Sequence, residues 1–359
     1  MARPDRVRLV VLFGGRSAEH EVSCTTAAHV LAAADPERYE LDAVGITRDG
    51  AWVRDDTARA ALAAGAAALP APLRATGTAV EPLPTVAPSG DGLPVVVMPL
   101  LHGPQGEDGT VQGLLELAGV PYVGSGVLAS ALCMDKIKAK EVMAVRRLPQ
   151  VPYAAVRDTH LAGAHQAVTD QGLAYPLFVK PANLGSSVGV TKVHDAGGLD
   201  EAVAAAAAYD EWVVIEEGVN GREIEVGVLG NAEPRASVPG EIVSSHEFYD
   251  YDDKYVDGTC ELVVPADLDA EATDRVRALA LDAYRALRCD GMARVDFFYE
   301  EGRRGFLVNE VNTIPGFTPG SMYPRLWDAS GVTYPELIDE LVRLAVERHD
   351  HRSRFSTKR

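Results

Sequence analysis

Lysine is scarce in this 359-residue chain. It stands only at positions 136, 138, 140, 180, 192, 254 and 358, so most of the 34 cationic side chains are arginine, and 52 acids leave a formal net charge of -18. Such a field repels polyanions, which excludes nucleic acid and anionic membrane as general partners; an anionic ligand needs a local basic pocket. Cysteine is equally sparse. Cys24, Cys133, Cys260 and Cys289 form no CxxC pair and no ligand-like spacing, which argues against a disulfide framework or thiolate metal centre and reads as small buried hydrophobes in a reducing compartment. No apolar run approaches the ~20 residues of a membrane span, and no secretory leader is legible. A cytoplasmic protein without a membrane partner is the expectation.

What the chain does have is apolar mass. At 47% hydrophobic and 24% charged residues it can bury two or three domain cores. "VRLVVLFGG" reads as a strand buried on both faces, "SAEHEVSCTTAAHVLAAA" as an amphipathic helix and "YELDAVGIT" as the next strand, a βαβ opening of the parallel α/β class. Residues 55 to 90, rich in Ala and Pro, read as an inserted helix and loop. The strand "LPVVVMPLLHG" and helix "TVQGLLELAG" complete a parallel-sheet α/β domain over 1–124, with its ligand edge where the strands end. From 125 the pattern becomes α+β: a helix "ALCMDKIKAKEVMAVRR", short strands "PLFVKPA" and "GVTKVH", and the strand "EWVVIEEGV" give a central domain over 125–216. Longer strands and two helices give a third domain over 217–359.

Two stretches carry chemistry. In "ARVDFF" and "FLVNEVN" strand alternation sets Asp296 apart from Val295 and Phe297 and puts Glu310 and Asn312 on one face. Paired as a hairpin, the three converge. Close carboxylates in a partly dry sheet call for a cation, and magnesium, with hard oxygen ligands and a habit of sharing phosphates, suits them; a solvated sheet face is the alternative. The second stretch, "VKPANLGSSVGV", sets a Gly/Ser loop between strands, where backbone N–H and hydroxyl groups can cradle phosphates. A plain hairpin turn reads equally well. It is neither a Walker A loop nor a dinucleotide fingerprint. Lys136, Lys180 and Lys254 fall inside motif-like stretches, where a compact ammonium suits phosphate oxygens.

Taken in order, "FGGRSAEHEVS", "LHGPQGEDGTVQG", "GSGVLASALCMDKIKAK", "VKPANLGSSVGV", "FYDYDDKY", "ARVDFF" and "NEVNTIPG" resemble the D-alanine–D-alanine ligase family of the ATP-grasp superfamily, over nearly the whole chain. The resemblance implies a three-domain ATP-grasp fold, ATP between the second and third domains, a homodimer, and two magnesium ions for which manganese can substitute. It also implies a reaction for peptidoglycan precursor synthesis: ATP phosphorylates one D-alanine carboxylate, and the amine of a second D-alanine attacks the acyl phosphate.

Residue by residue, the resemblance makes Asp296, Glu310 and Asn312 the metal ligands. Lys136, Lys180, Lys254 and Ser187 face the phosphates, Glu216 the adenine amino group and Glu223 the ribose, although solvated surface acids are the plain reading of both glutamates. Arg294 and the Gly316 N–H match the oxyanion donors; a structural ion pair is the other reading of Arg294. Glu19 matches the residue that holds the first substrate's ammonium, in a set with Ser186 and Tyr255; unaided, it reads as helix capping. His102 matches a substrate-proximal histidine oriented by Glu107, or else a loop hydrogen-bonder. Ser321 and Met322 match the acceptor-carboxylate serine and its apolar neighbour. Tyr255 accompanies D-alanine as acceptor, and an arginine at 322 would have pointed to D-serine. Residues 242 to 260 read as a lid or a static surface loop.

Overall fold

The computed structural model describes residues 6–65, 68–88, 92–243 and 261–356. Three sheets organise them. The first has the order β4-β3-β2-β1-β5 and is built from β1 (Val7–Gly14), β2 (Tyr39–Ile46), β3 (Trp52–Arg54), β4 (Thr78–Ala79) and β5 (Val95–Pro99). Both β2 and β5 run parallel to β1, while β3 and β4 add an antiparallel edge that the sequence pattern does not announce.

Strand β1 is buried throughout because helices cover both faces. Leu9, Val11 and Phe13 pack into one cluster with α1 (His20–Ala33), and Val10 and Leu12 face α3 (Pro82–Val86) and α4 (Thr110–Ala118). The short α2 (Asp56–Ala64) lies between β3 and β4. Helix α1 starts later than the pattern suggests, since Ser17 to Glu19 form a turn closed by His20 N–H donating to Ser17 O.

The expected single helix around 131–147 is two. Helix α5 (Val127–Met134) stops at Asp135, whose extended backbone starts α6 (Lys136–Val145), and the Asp135 carboxylate accepts from the N–H groups of Ile137 and Lys138, each at 3.0 Å. This N-cap satisfies amides that a helix start leaves orphaned. The break matters because it begins a new helix at Lys136.

The second sheet, β6-β9-β7-β8, is antiparallel: β6 (Tyr153–Arg157), β7 (Leu177–Pro181), β8 (Thr191–Val193) and β9 (Trp212–Glu217), with α7 (Ala164–Asp170) and α8 (Leu199–Ala206) on one face. The third, also antiparallel, has the order β12-β11-β10-β13-β14: β10 (Arg222–Leu229), β11 (Arg235–Val243), β12 (Glu261–Val263), β13 (Met292–Glu300) and β14 (Gly305–Asn312). Its Ile224, Val226, Val228, Val295 and Phe297 bury against α9 (Ala270–Ala286), which leaves Glu223, Glu225, Arg294 and Asp296 on the opposite face, toward the second sheet.

Two helices close the chain: α10 (Met322–Ala329) and α11 (Tyr334–Ser353). The apolar stripe of α11, with Leu337, Ile338, Leu341 and Leu344, belongs to the same cluster as Leu9, Val11 and Phe13 of β1. Arg348 of α11 fixes this docking by donating to Gly124 O (2.6 Å) and Tyr122 O (3.2 Å).

Candidate active site

On β14, Phe306 and Val308 face the core, so unbroken alternation would turn Glu310 and Asn312 inward with them. A bulge prevents this. Asp296 pairs with Glu310 but Phe297 pairs with Val308, so Asn309 is the extra residue and Val311, not Glu310, returns to the core. Glu310 and Asn312 then face the same side as Asp296, as bulges beside functional sites commonly arrange.

There Asp296 and Asn312 meet, and Glu310 stands opposite Asp296 in the strand register. Asn312 Nδ2 donates to Asp296 Oδ2 at 2.8 Å, and Arg294 forks onto both oxygens of Asp296 at 2.7 Å each. Arg294 Nε also lies 2.9 Å from Glu225 Oε2, and Lys136 Nζ lies 3.6 Å from Glu310 Oε2. Burial disfavours the charged guanidinium, but Asp296 and Glu225 outweigh it and push the Arg294 pKa well above its ordinary value. Among the described residues no group of three or more His, Cys, Asp or Glu could hold a metal. Two carboxylates and an amide oxygen on paired strands are nevertheless a donor set for a hard cation that keeps waters and takes further oxygens from a ligand.

A cavity of about 240 Å³ runs between the second and third sheets, with Lys136, Lys180, Ser187, Glu216, Glu223, Arg294, Asp296 and Glu310 in its lining. Lys136 begins α6 and donates to Leu184 O at 2.6 Å, tying the Gly/Ser loop down. In that loop Ser186 (φ 52°) and Ser187 (φ 58°) both adopt left-handed backbone, which costs a non-glycine residue roughly 1–2 kcal/mol. Such strain concentrates at functional sites. Lys180 Nζ lies 2.6 Å from Glu216 Oε2, and the buried Lys140 Nζ 2.9 Å from Glu216 Oε1. Burial alone would raise the Glu216 pKa; the two ammoniums reverse that and bring it to about 2.

A second cavity, about 600 Å³, lies against the first sheet, bounded by Glu19, His102, Glu107, Ser186, Glu225, Arg294, Glu310, Asn312, Gly316, Ser321 and Met322 among others. Ser186 Oγ donates to Glu19 Oε1 at 2.5 Å, bridging first and second sheets. Glu19 is the N-cap residue of α1, yet its carboxylate makes no capping hydrogen bond. His102 is 5% exposed, with Nε2 lacking a hydrogen-bond partner. Burial lowers its pKa, with Glu19 pulling the other way. Glu107 accepts from the Gly103 N–H at 2.6 Å and so braces the loop rather than the His102 ring, a departure from expectation. Burial and then Glu19 raise the Glu107 pKa to about 8.

Ser321 precedes α10 and its Oγ lies 2.8 Å from Thr318 Oγ1; a Cβ on Gly316 would meet Ser321 Oγ at 3.2 Å. Met322 packs with Ile242 and Leu326. Lys254 and Tyr255, and with them most of the expected lid, lie outside the described residues. Lys140 and Glu225 are what sequence reasoning missed. Lys140 carried a signal, one turn beyond Lys136 in a lysine-poor chain; Glu225 shares a strand face with Glu223.

Two antiparallel sheets closing on a cleft of ammoniums and carboxylates, beside a parallel α/β unit, define an ATP-grasp enzyme. The chain belongs to the D-alanine–D-alanine ligase family. Family models described as the D-ala D-ala ligase N-terminus and C-terminus match residues 8–125 and 142–343. The D-alanine–D-alanine ligase of Acetivibrio thermocellus is 44% identical, covering 96% of this chain and 97% of that protein, and that of Bacillus cytotoxicus 44% identical, covering 98% of each. Among solved structures, the D-alanine-D-alanine ligase from Coxiella burnetii is 34% identical with a TM-score of 0.81, covering 98% of this chain and 97% of that one. The VanG D-Ala:D-Ser ligase from Enterococcus faecalis is 34% identical with a TM-score of 0.79, covering 95% and 99%. Among the described residues no helix is long and apolar enough to cross a membrane.

Proposed function

We propose that this chain is an ATP-dependent D-alanine–D-alanine ligase that makes the dipeptide for peptidoglycan precursors in the cytoplasm, working as three units, 1–124, 125–216 and 217–359. One observation carries the reading: Ser186, Arg294 and Glu310 line both cavities, so a polyphosphate in the narrower one and an amino acid in the wider one meet at the same side chains. Two anions, a carboxylate and the γ-phosphate, have to approach there, so catalysis is chiefly positioning and charge neutralisation.

In this reading Lys136, Lys180, Lys254 and Ser187 hold the ATP phosphates, Glu216 and Glu223 its adenine and ribose. Asp296, Glu310 and Asn312 hold magnesium, one ion or two, with manganese as a substitute. Its charge would offset the phosphate oxygens. Glu19, with Ser186 and Tyr255, seats the ammonium of the first D-alanine, and His102 stands beside its carboxylate. Arg294 and the Gly316 N–H take up the oxyanion charge as the second amine attacks the acyl phosphate; Arg294 has then to loosen from Asp296, and Glu225 keeps it in place. Ser321 receives the acceptor's carboxylate. Met322, buried and apolar, supports D-alanine over D-serine as acceptor. A homodimer is part of the proposal.

The test is D-alanine-dependent ADP release with ATP and Mg²⁺, with product analysis in mixtures of D-alanine, D-serine and D-lactate. D-Alanyl-D-alanine as the main product supports the reading. ADP release that ignores D-alanine, or a mixed product dominated by another acceptor, overturns it.

A further inference from the structure

Lys140 is a buried cation that the proposed chemistry does not use. It is 1% exposed, and its Nζ sits 2.9 Å from Glu216 Oε1 and 5.4 Å from the centre of the Tyr153 ring. The other oxygen of Glu216 takes Lys180 at 2.6 Å. Ammonium, carboxylate and ammonium therefore form a row, of which Lys140 is the buried end and Lys180 the end that lines the cavity.

We propose that Lys140 is a positioning residue for nucleotide binding: by sharing Glu216, it keeps that carboxylate from neutralising Lys180, so the row presents a net positive charge to the phosphates. The inference rests on the reading of this cavity as the ATP site. Burying a lone ammonium is unfavourable without a partner, and Glu216 satisfies Lys140. In return Lys140 supplies half of the charge that Glu216 demands, and the ammonium hydrogens of Lys180 not spent on Glu216 remain for phosphate oxygens. The row sums to +1 with Lys140, to zero without it, and to +1 again if Glu216 is also made neutral.

That arithmetic gives a test that a packing role would fail. Lys140→Met should raise the KM for ATP about tenfold, a change of one decade in binding, with a much smaller change in kcat; calorimetric titration with ATP should show the same weakening without turnover. With inorganic tripolyphosphate, which has no adenine for Glu216 to meet, Lys140→Met should bind more weakly in the same way, and the double variant Lys140→Met/Glu216→Gln should recover most of that lost affinity because glutamine removes the charge. Lys140→Arg should hold the KM closer to that of the parent than Lys140→Met does. An unchanged KM in Lys140→Met, or a double variant as weak as the single, overturns the inference. Should Lys140→Met fail to fold, the double variant decides by itself: tripolyphosphate affinity near that of the parent supports the charge row, and affinity as poor as that of Lys180→Met overturns it. Lys180→Met separates the two levels of argument. If its KM for ATP is unaltered, the site assignment is wrong; if it rises while Lys140→Met leaves KM alone, only the role of Lys140 is wrong.

Discussion

The two halves of the cleft treat charge differently. On the proposed nucleotide side cations and carboxylates are matched: Lys136 with Glu310, Lys140 and Lys180 with Glu216, Arg294 with Asp296 and Glu225. On the proposed amino-acid side acids crowd together: burial first, then Glu19 and Glu310, raise Glu107, while burial holds His102 toward its neutral form against the pull of Glu19. Paired charges are pre-set and can exchange partners when an anion and a cation arrive together. Crowded acids are incomplete, and an ammonium is what completes them.

The sharpest way to break this contrast is Glu310→Gln, at the junction. It removes one of two carboxylates proposed for the metal, and loss of several kcal/mol of transition-state stabilisation means a fall in kcat/KM of about 100-fold or more. Near-normal turnover would remove Glu310 from the metal site. Next is Glu19→Gln, on the crowded side. An amide offers an ammonium no charge, so the KM for D-alanine should rise about tenfold or more while ATP affinity, measured by titration, holds. A comparable loss for ATP would dissolve the distinction between the halves.

A third test uses pH. A carboxyl raised to about 8 in the fold, against about 4.3 when unfolded, binds its proton more tightly in the native state. Its contribution is fully present below the unfolded pKa and is lost as pH rises through the folded one. His102, lowered in the fold, works in the opposite sense, but only below its ordinary value near 6.5. The melting temperature of the ligand-free protein should therefore fall from about pH 7 to about pH 8.5, and Glu107→Gln should flatten that slope. An equal slope in both proteins rejects a Glu107 carboxyl raised by burial and by the acids beside it. The smallest effect is expected for Asp135→Ala, which deletes the cap at Lys136 and costs about 1 kcal/mol of stability, read by denaturant titration. Its sharper consequence is a weaker hold on ATP than on D-alanine; equal effects would leave Lys136 unassigned to either half.

Part of this site was legible in the sequence because strands write their faces at every second residue: Glu310 and Asn312 share a face as alternation suggests, and hairpin pairing sets Glu310 opposite Asp296. The bulge at Asn309 was not legible, since Phe306 and Val308 by themselves argue that Glu310 points inward, and only pairing with β13 shows the extra residue. The break at Asp135 was hidden by helical sequence on both sides, although an Asp before a new helical turn is a capping signal. Lys140 and Glu225 look in sequence like solvated face residues; what buries them is the approach of other strands, which no local pattern encodes. The same limit applies to α11, which shares a core cluster with the first strand of the chain.

That last pairing has a consequence for synthesis on the ribosome. Strand β1 leaves the ribosome well before α11, one of the helices that complete its apolar surroundings. Until α11 arrives, Leu9, Val11 and Phe13 lack part of their cover, and an exposed apolar surface of this kind is where nascent chains aggregate. The nascent chain thus has reason to engage a chaperone once β1 has appeared and to be released when α11 follows.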